Sequence, residues 1–347
     1  MKSTWNKLIN KYGYPKVYIV IFLVMLICTA IIQRQDIPGL LRDSLVRVGM
    51  NSILVLAMVP SIVSGTGLNF ALSIGIICGL LAGCISIEMN LTGFSAFMTA
   101  VVVSIPMSAV SGYLYSKLIN RVKGDEMTIA TYMGWAVVSL MSIAWLLLPF
   151  KSPEMIWAIG GKGLRQTISL AGRYDKILDN FMGIKFMGMN IPIGTLLFFG
   201  LFCFLMWIFL KSKTGAAMIA AGDNPKFAEA SGINVDKQRT VGMIISTILG
   251  GIGMLVYAQS YGFFQLYQGP LMMPFVAISA ILIGGATAKK ATISNVISGV
   301  ILFQMLLTIS LPVINKMVPE GNLSEVIRII VQNGVILYAL TKVGGND

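Results

Sequence analysis

The 347-residue sequence contains no histidine, only four cysteines and few charges. Without histidine there is no imidazole chemistry and no histidine-based metal site. The four cysteines lie inside apolar runs without a C-x-x-C pair, so we predict neither disulfides nor metal ligands among them. Charged residues make up 12% of the chain, about half the share in an average soluble domain. So few charges could not cover the surface of a soluble protein of this size.

Motifs that carry catalysis are also missing. The segment GGKG at 160–163 lacks the leading glycine and the Ser or Thr of a phosphate-binding loop. The G-x-G at 65–67 continues to Phe70, so the dinucleotide pattern fails. Neither G-x-S-x-G nor H-E-x-x-H occurs, and paired carboxylates are found only at the edges of apolar runs. We therefore predict that the chain is not an enzyme and holds no cofactor.

Apolar residues dominate the chain, at 56%, and the mean hydropathy is +0.81. A membrane-spanning helix needs about 20 predominantly apolar residues. Ten segments approach this length, and none carries a charge near its middle. They cover roughly 17–34, 45–64, 70–89, 93–117, 126–149, 191–210, 240–259, 271–288, 293–312 and 323–341. The sequence predicts an all-α, polytopic membrane protein with about ten transmembrane helices.

Basic residues indicate the orientation of these helices. With the N-terminus in the cytoplasm, 15 of the 26 Lys and Arg residues lie on the inner side, as expected for a membrane protein. The net charge of +12 could also indicate nucleic-acid binding, but basic residues flanking spans explain it more simply, and we expect no nucleic acid partner. We expect a cytoplasmic tail at 1–16, one transmembrane domain at 17–341 and a C-terminal tail at 342–347.

Two segments interrupt the apolar pattern, PSIVSGTGLN at 60–69 and GGATAKK at 284–290. Irregular backbone is tolerated at membrane depth only where protein or a water-filled cavity satisfies it. One interruption in each half indicates a translocation path, with a discontinuous helix at the first. The alternative is a re-entrant turn followed by an ordinary loop. The candidate pathway residues are Gly65, Gly67, Asn69, Gly284 and Gly285.

Small residues recur every four positions on two candidate spans. This spacing places them on one helix face and lets helices approach closely. It favours packing within the chain, and dimerisation through either face remains an alternative. The residues are Gly75, Gly79 and Gly83 on the third span, and Gly242, Ser246 and Gly250 on the seventh.

The most informative polar segment is 211–239, KSKTGAAMIAAGDNPKFAEASGINVDKQR. It predicts two short helices separated by a turn and projecting from the cytoplasmic face. Asn224 suits the N-cap of the second helix, Pro225 its first turn and Gly232 its C-terminal cap. The small side chain of Ala228 would let a partner approach closely. A solvated loop is the alternative.

This segment resembles the cytoplasmic coupling loop of the ABC importer permeases that serve simple sugars, nucleosides and branched-chain amino acids. The family pattern is approximately T-x-x-G, then A-x-G-x-N-P-x-A-A-x-x-x-G-I. Here Thr214 adjoins Gly215 directly, and Glu229 replaces the second alanine. Segments 67–75 and 281–302 also resemble family motifs, so that the likeness covers about 45–341. The matching residues are Thr214, Gly215, Ala220, Gly222, Asn224, Pro225, Ala228, Gly232 and Ile233.

The resemblance implies a mechanism and partners in the cytoplasmic membrane of a bacterium. Two permease subunits, identical or different, form a pathway surrounded by membrane lipid. Two cytoplasmic ABC ATPase subunits hydrolyse ATP, and an extracytoplasmic solute-binding protein delivers the solute. The coupling loop at 211–239 seats in a groove on the ATPase. The implied coupling residues are Gly215, Gly222, Asn224, Pro225, Ala228, Gly232 and Ile233.

The resemblance favours a simple sugar as the solute, because the G-x-N-P loop is shared by sugar and nucleoside members and the sugar group is broad. The stretch Asn69 to Leu72 is closer to the nucleoside and amino-acid type, so a nucleoside or a branched-chain amino acid is the alternative. An ion-coupled secondary transporter would need an intramembrane ionisable pair, which we do not find. A membrane-embedded scaffold would need no coupling loop.

Overall fold

The computed structural model describes residues 14–156, 163–186, 189–317, and 326, 329, 330 and 334. Within these residues the chain forms helices joined by mostly short connections. The helices are α1 (Tyr14–Ile32), α2 (Ile37–Leu56), α3 (Met58–Val63), a 3-10 turn (Phe70–Leu72), α4 (Ser73–Glu88), α5 (Gly93–Arg121), α6 (Glu126–Leu147), α7 (Ile177–Asn180), α8 (Ile193–Lys211), α9 (Lys213–Asp223), α10 (Pro225–Ala230), α11 (Val235–Tyr261), α12 (Gln268–Ile283) and α13 (Ile293–Met317).

Seven helical segments of the described chain are long and apolar enough to cross a membrane. They are α2 with α3, the 3-10 turn with α4, and α5, α6, α8, α11 and α13. Two shorter apolar helices occur at Lys16–Ile32 and Gln268–Ile283. The tenth candidate, 323–341, lies almost entirely outside the described residues. The polytopic helical prediction is confirmed, whereas the number ten stays a prediction.

Burial separates a central group of helices from a peripheral one. The spans of α2 with α3, of α4 and of α11 are mostly buried by protein, whereas α6 and α8 expose most of their apolar side chains. Exposed apolar side chains are costly in water but not against lipid tails, which are equally apolar. The arrangement is that of a bundle surrounded by a bilayer.

The central helices α4 and α11 pack through glycines. A Cβ atom on Gly75 would lie 2.2 Å from the carbonyl oxygen of Thr247, and one on Gly79 would lie 2.3 Å from that of Gly251. No larger side chain fits at either position without separating the helices. The prediction that these small residues pack within the chain is confirmed.

Four short strands accompany the helices, and the described chain remains mostly helical, as predicted. Strand β1 (Thr167–Ser169) pairs antiparallel with β4 (Phe263–Gln265), and β2 (Ile184–Phe186) pairs antiparallel with β3 (Met189–Ile191). In β1 only the middle residue is buried, which is the alternation of a strand with one covered face. Three such residues are too few to leave a periodicity in the sequence. The strands lie in the connections between helices, and the spans themselves are helical.

The first interruption of the apolar pattern lies between two helices. Pro60 has no N–H to donate to the Leu56 carbonyl, and α2 gives way to α3 at Ala57. The backbone of Ala57 is helical, with φ −59° and ψ −21°, so Ile37–Val63 forms one continuous candidate span. Irregular backbone follows at 64–69. A helix split in two is therefore not confirmed, although the interruption itself is present.

The connections gather at two ends of the bundle. The "coupling end" is formed by connections 122–125, 212–234 and 284–292, together with Gly65. Here Lys123 pairs with Asp236 at 3.2 Å, and Lys290 lies 4.0 Å from Asp223. These contacts show that connections distant in sequence meet at one end.

The "opposite end" is formed by connections 33–36, 89–92 and 262–267 and by the described residues of the connection 148–192. The backbone N–H of Gly93 donates to the carbonyl oxygen of Arg173 at 2.7 Å, and that of Leu170 donates to Gly262 at 2.9 Å. Arg173 also forms a 2.9 Å ion pair with Glu154, and this hydrogen bond raises the pKa of the guanidinium group. The long connection 148–192 is thus fastened to the helix ends.

Candidate functional site

The segment 211–239, called the coupling segment below, forms the two predicted short helices, α9 and α10. Ser212 caps α9, its side chain accepting a hydrogen bond from the Gly215 N–H at 3.2 Å. Asn224 caps α10, its Oδ1 accepting from the Phe227 N–H at 3.1 Å, and Pro225 occupies the first turn. Each cap satisfies an N–H that a helix leaves free at its start. The predicted roles of Asn224 and Pro225 in the helix are confirmed.

A Schellman motif ends α10. The Ile233 N–H donates to the Ala228 carbonyl at 2.9 Å, and the Gly232 N–H donates to the Glu229 carbonyl at 3.0 Å. Gly232 has φ +80°, a backbone conformation that L side chains rarely adopt. Asn234 then caps α11. Successive caps define the shape of the whole segment.

Ala228 is not on the outer surface of the segment, where the sequence analysis expected a partner to approach it. Its side chain is fully buried, in a small cluster with Ala221 and Val235, so it faces the interior of the segment. The neighbouring Phe227 is 67% exposed. The small size of Ala228 therefore allows α9, α10 and α11 to pack together, and Phe227 is more exposed than Ile219, the other large apolar side chain that the segment presents outwards.

The coupling segment touches the first interruption through glycines. A Cβ atom on Gly222, near the end of α9, would lie 2.2 Å from the carbonyl oxygen of Val63. A Cβ atom on Gly65, where φ is +80°, would lie 3.0 Å from the Cα atom of Gly222. The two backbones are thus in direct contact, and only glycine permits this approach.

From this contact the chain continues into the interior of the bundle. Thr66 Oγ1 donates to the Ser61 carbonyl at 2.7 Å and so satisfies the end of α3. Asn69 is buried, and its Nδ2 donates to Ser246 Oγ at 2.9 Å, near the middle of α11. The Asn69 Oδ1 is buried without a hydrogen-bond partner among the described residues. Residues 64–69 therefore connect the coupling end to the middle of the central helix.

The remaining candidate pathway residues lie near the coupling end. Gly67 has φ +78°, and a Cβ atom there would lie 3.2 Å from the Cε of Met127. Gly284 packs against α13, and its carbonyl accepts from Asn295 Nδ2 at 2.6 Å. Gly285 has φ +83° and closes the turn after α12. The structure brings Gly65 to the coupling segment, and it packs Gly284 against α13.

Sequence reasoning missed a buried ion pair at the coupling end. Arg239 of α11 pairs with Glu126 of α6, and their side chains are 7% and 18% exposed. Nearby, Asn120 Nδ2 donates to the Asp236 carbonyl and to Thr240 Oγ1, both at 3.0 Å. Each charge appears in the sequence as an ordinary residue at the edge of a span, with no signal of its partner.

A cavity of about 670 Å³ opens at the opposite end. Helices α2, α11, α12 and α13 line it with apolar residues and with several amides and tyrosines. Its lining includes Asn51, Tyr257, Tyr261, Gln265, Gln268 and Gln304. The five candidate pathway residues are not among the described residues that line it. The sequence signal for this cavity was the pair of amides Asn51 and Gln304, since each lies within an apolar run.

A polar cluster holds one wall of this cavity in place. Asp179 of α7 accepts hydrogen bonds from Thr195 Oγ1 and from Ser260 Oγ, the latter at 2.9 Å. The Gln259 Oε1 accepts from the Leu178 N–H at 3.1 Å. The cluster ties the connection 148–192 to α8 and to the end of α11.

Apolar spans, an interrupted segment in the interior and a capped two-helix segment at one end define a multi-pass membrane permease. The chain belongs to the family described as the permease component of branched-chain amino acid transport systems, whose model matches residues 40–340. This confirms the resemblance to the ABC importer permeases of simple sugars, nucleosides and branched-chain amino acids. The protein is a multi-pass protein of the cytoplasmic membrane.

Curated relatives agree with the family. The guanosine ABC transporter permease protein NupQ of Bacillus subtilis is 30% identical over 122 residues, which cover 32% of this chain and 38% of that protein. The nucleoside ABC transporter permease protein NupC of Lactococcus lactis is 29% identical over 96 residues, covering 27% and 30%. The tyrosine transport system permease protein of Clostridioides difficile is 26% identical over 216 residues, covering 60% and 72%.

The match spans about a third of the length of each of the first two relatives. No solved structure matches the chain significantly.

Proposed function

We propose that this protein is the membrane-spanning subunit of an ATP-driven importer for a small polar solute, working with separate ATPase subunits, an external solute-binding protein and a second permease subunit. The permease relatives support this, since they are transport components rather than enzymes. The 17–341 stretch is the transmembrane domain, with 1–16 and 342–347 as tails in the cytoplasm. The coupling end faces the cytoplasm.

The observation that carries the proposal is the contact between Gly222 and the interruption at 63–65. The coupling segment is exposed at Phe227 on one side and touches the backbone of the bundle on the other. An ATPase that moves α10 would therefore also move α9 and residues 64–69, which include Asn69. Gly65, Gly67 and Asn69 are the pathway residues that respond, with Gly284 and Gly285 holding α12 against α13. The coupling residues are Gly215, Gly222, Asn224, Pro225, Ala228, Gly232 and Ile233.

We propose a nucleoside as the solute, with a simple sugar as the second candidate. Two of the relatives are named for guanosine and nucleosides, and the stretch from Asn69 to Leu72 is closer to the nucleoside and amino-acid type than to the sugar type. The sugar hypothesis rests on the G-x-N-P loop, which sugar and nucleoside permeases share. A nucleoside contains a sugar, so the two candidates differ only in the base.

The coupling surface is tested with two phenylalanines of similar exposure. Phe227 is 67% exposed at the coupling end, and Phe181 is 56% exposed at the opposite end. Phe227→Asp should reduce co-purification of the cognate ATPase at least tenfold, because a buried charge replaces an apolar contact. Phe181→Asp should leave co-purification unchanged. If Phe227→Asp retains the ATPase fully, the segment is a solvated connector and the proposed coupling is wrong.

A further inference from the structure

We infer that the cavity at the opposite end is a recognition site for a planar, uncharged solute that carries hydrogen-bonding groups, of the nucleoside type. The inference rests on the proposed import function and assigns the residues that select the solute. The cavity volume of about 670 Å³ lies within the range of small-molecule sites, about 300–1,000 Å³.

Two amide side chains, Asn51 and Gln304, lie at the inner part of the cavity. Gln304 lies near the middle of α13 in the lining of the cavity, and it is 2% exposed. Asn51, near the middle of the span Ile37–Val63, donates its Nδ2 to the Arg47 carbonyl at 2.9 Å. Uncharged amides inside a membrane span are costly unless they have a role, so polar groups at this depth indicate function.

An amide offers both a donor and an acceptor at fixed spacing. The edge of a nucleobase carries the complementary groups, as in the bidentate contacts that Asn and Gln make with adenine. Gln265 and Gln268 add two further amides nearer the cavity mouth. Four amides around one cavity suit a solute with several donors and acceptors and no net charge.

Two tyrosines contribute aromatic rings to the lining. The rings of Tyr257 and Tyr261 stack on each other one turn apart on α11, with centroids 5.4 Å apart and planes 28° apart, so each has one outer face left for a further ring. Gln265 Nε2 lies 3.4 Å from the Tyr261 hydroxyl. Nucleobases stack on aromatic side chains independently of their identity. A free sugar has no aromatic base to stack on these rings.

The rest of the lining agrees with an uncharged solute. Met50, Met273 and Val276 form an apolar part of the lining. The charged residues of the lining, Asp43, Arg47 and Lys176, are exposed. Asp43 is already paired with Arg42 at 3.0 Å. The buried part of the lining therefore offers no fixed charge to a bound ion.

The cavity also lies where an imported solute would pass. It opens at the end away from the coupling segment. It extends along α12 to Val276, beside Phe275, whose ring contacts that of Phe70 with centroids 5.9 Å apart. Phe70 directly follows the interruption at 64–69. A movement of that segment would therefore reach the inner part of the cavity.

The test is solute uptake by the whole transporter, reconstituted in proteoliposomes with its cognate ATPase and solute-binding protein. The probes are radiolabelled guanosine, uridine and ribose. Gln304→Leu and Tyr257→Leu should each lower nucleoside uptake at least fivefold at saturating solute, with stimulated ATP hydrolysis retained. Gln304→Asn and Tyr257→Phe should restore most of the uptake, since they keep the amide and the ring. Met305→Leu on α13 and Tyr132→Leu on α6 are controls that should transport normally.

The outcomes separate the site from the function. Nucleoside uptake that both leucine variants leave unchanged would overturn the recognition site and leave the proposed import function standing. Ribose uptake without nucleoside uptake by the unmodified transporter would overturn the planar solute and the nucleoside proposal together. Loss of uptake in the leucine variants, with rescue by the conservative ones, supports the assignment.

Discussion

The two ends of the bundle are built in opposite ways. At the coupling end, backbones touch through Gly65 and Gly222, each helix of the segment is capped, and the Arg239–Glu126 pair is buried. At the opposite end, residues of four helices line a cavity of about 670 Å³. The first arrangement suits the proposed coupling, and the second suits the proposed recognition of a solute.

The comparison assigns different tasks to glycine and to amide side chains. Gly222 matters because nothing but hydrogen fits beside the Val63 carbonyl, so its value lies in contact within the protein. Gln304 lies in the cavity lining, and in the proposed recognition site its amide contacts the solute. Substitutions at the two ends should therefore have unequal effects.

The largest effect is expected at the buried ion pair. Glu126→Gln leaves the Arg239 charge, 7% exposed, without its counter-charge, and should lower the free energy of unfolding by about 3 kcal/mol. At the opposite end, Glu154→Gln removes the partner of Arg173, but Glu154 is 43% exposed. Its loss should cost less than about 1 kcal/mol. Thermal unfolding of the purified variants measures both, and equal losses would contradict the contrast between the ends.

A glycine-to-alanine substitution should affect stability more at the coupling end than at the cavity. In Gly222→Ala the new Cβ would meet the Val63 carbonyl at 2.2 Å, and overpacking of this kind costs about 1–3 kcal/mol. We also expect transport to fall at least fivefold. In Gly269→Ala, at the cavity, the nearest atom is 3.4 Å away, an ordinary contact, and stability should be unchanged. Normal transport by Gly222→Ala would show that the glycine contact does not couple the segments.

A smaller effect is expected from a lost cap. Asn224→Ala removes the acceptor of the Phe227 N–H and should destabilise α10 by about 1 kcal/mol. Unfolding of the whole bundle should hardly change, because α10 has only six residues. Hydrogen exchange of the backbone amides of residues 226–230 should accelerate about fivefold. Unchanged exchange would mean that packing of Ala228 alone holds α10 in place.

The smallest effect is expected at the exposed pair between Lys123 and Asp236. Their side chains are 56% and 53% exposed, so Lys123→Gln should lower stability by less than about 1 kcal/mol. The loss should shrink further in high salt, because exposed charges are screened. A loss as large as that of Glu126→Gln would show that burial does not distinguish the two pairs.

The sequence predicted features that depend on local chemistry. The caps at Asn224 and Gly232 follow from preferences of a few neighbouring residues. The spacing of Gly75 and Gly79 predicted close packing because four residues bring side chains onto one helix face. The spans follow from apolar length alone.

Features that depend on distant contacts were not predicted. The partner of Arg239 is 113 positions away in the sequence. The burial of Ala228 depends on Val235 folding back onto α10. The cavity requires residues of four helices to come together, and nothing local to Gln304 specifies this. A search of the spans for uncharged amides as well as charges would have found Asn51 and Gln304.

The claim that the two ends face opposite sides of the membrane is tested most directly by cysteine labelling. In a variant without the four native cysteines, Phe227→Cys and Phe181→Cys are made separately, both positions being exposed. A membrane-impermeant maleimide should label residue 181 in intact cells, and residue 227 only in inside-out vesicles. Labelling of both positions from the same side would contradict the account.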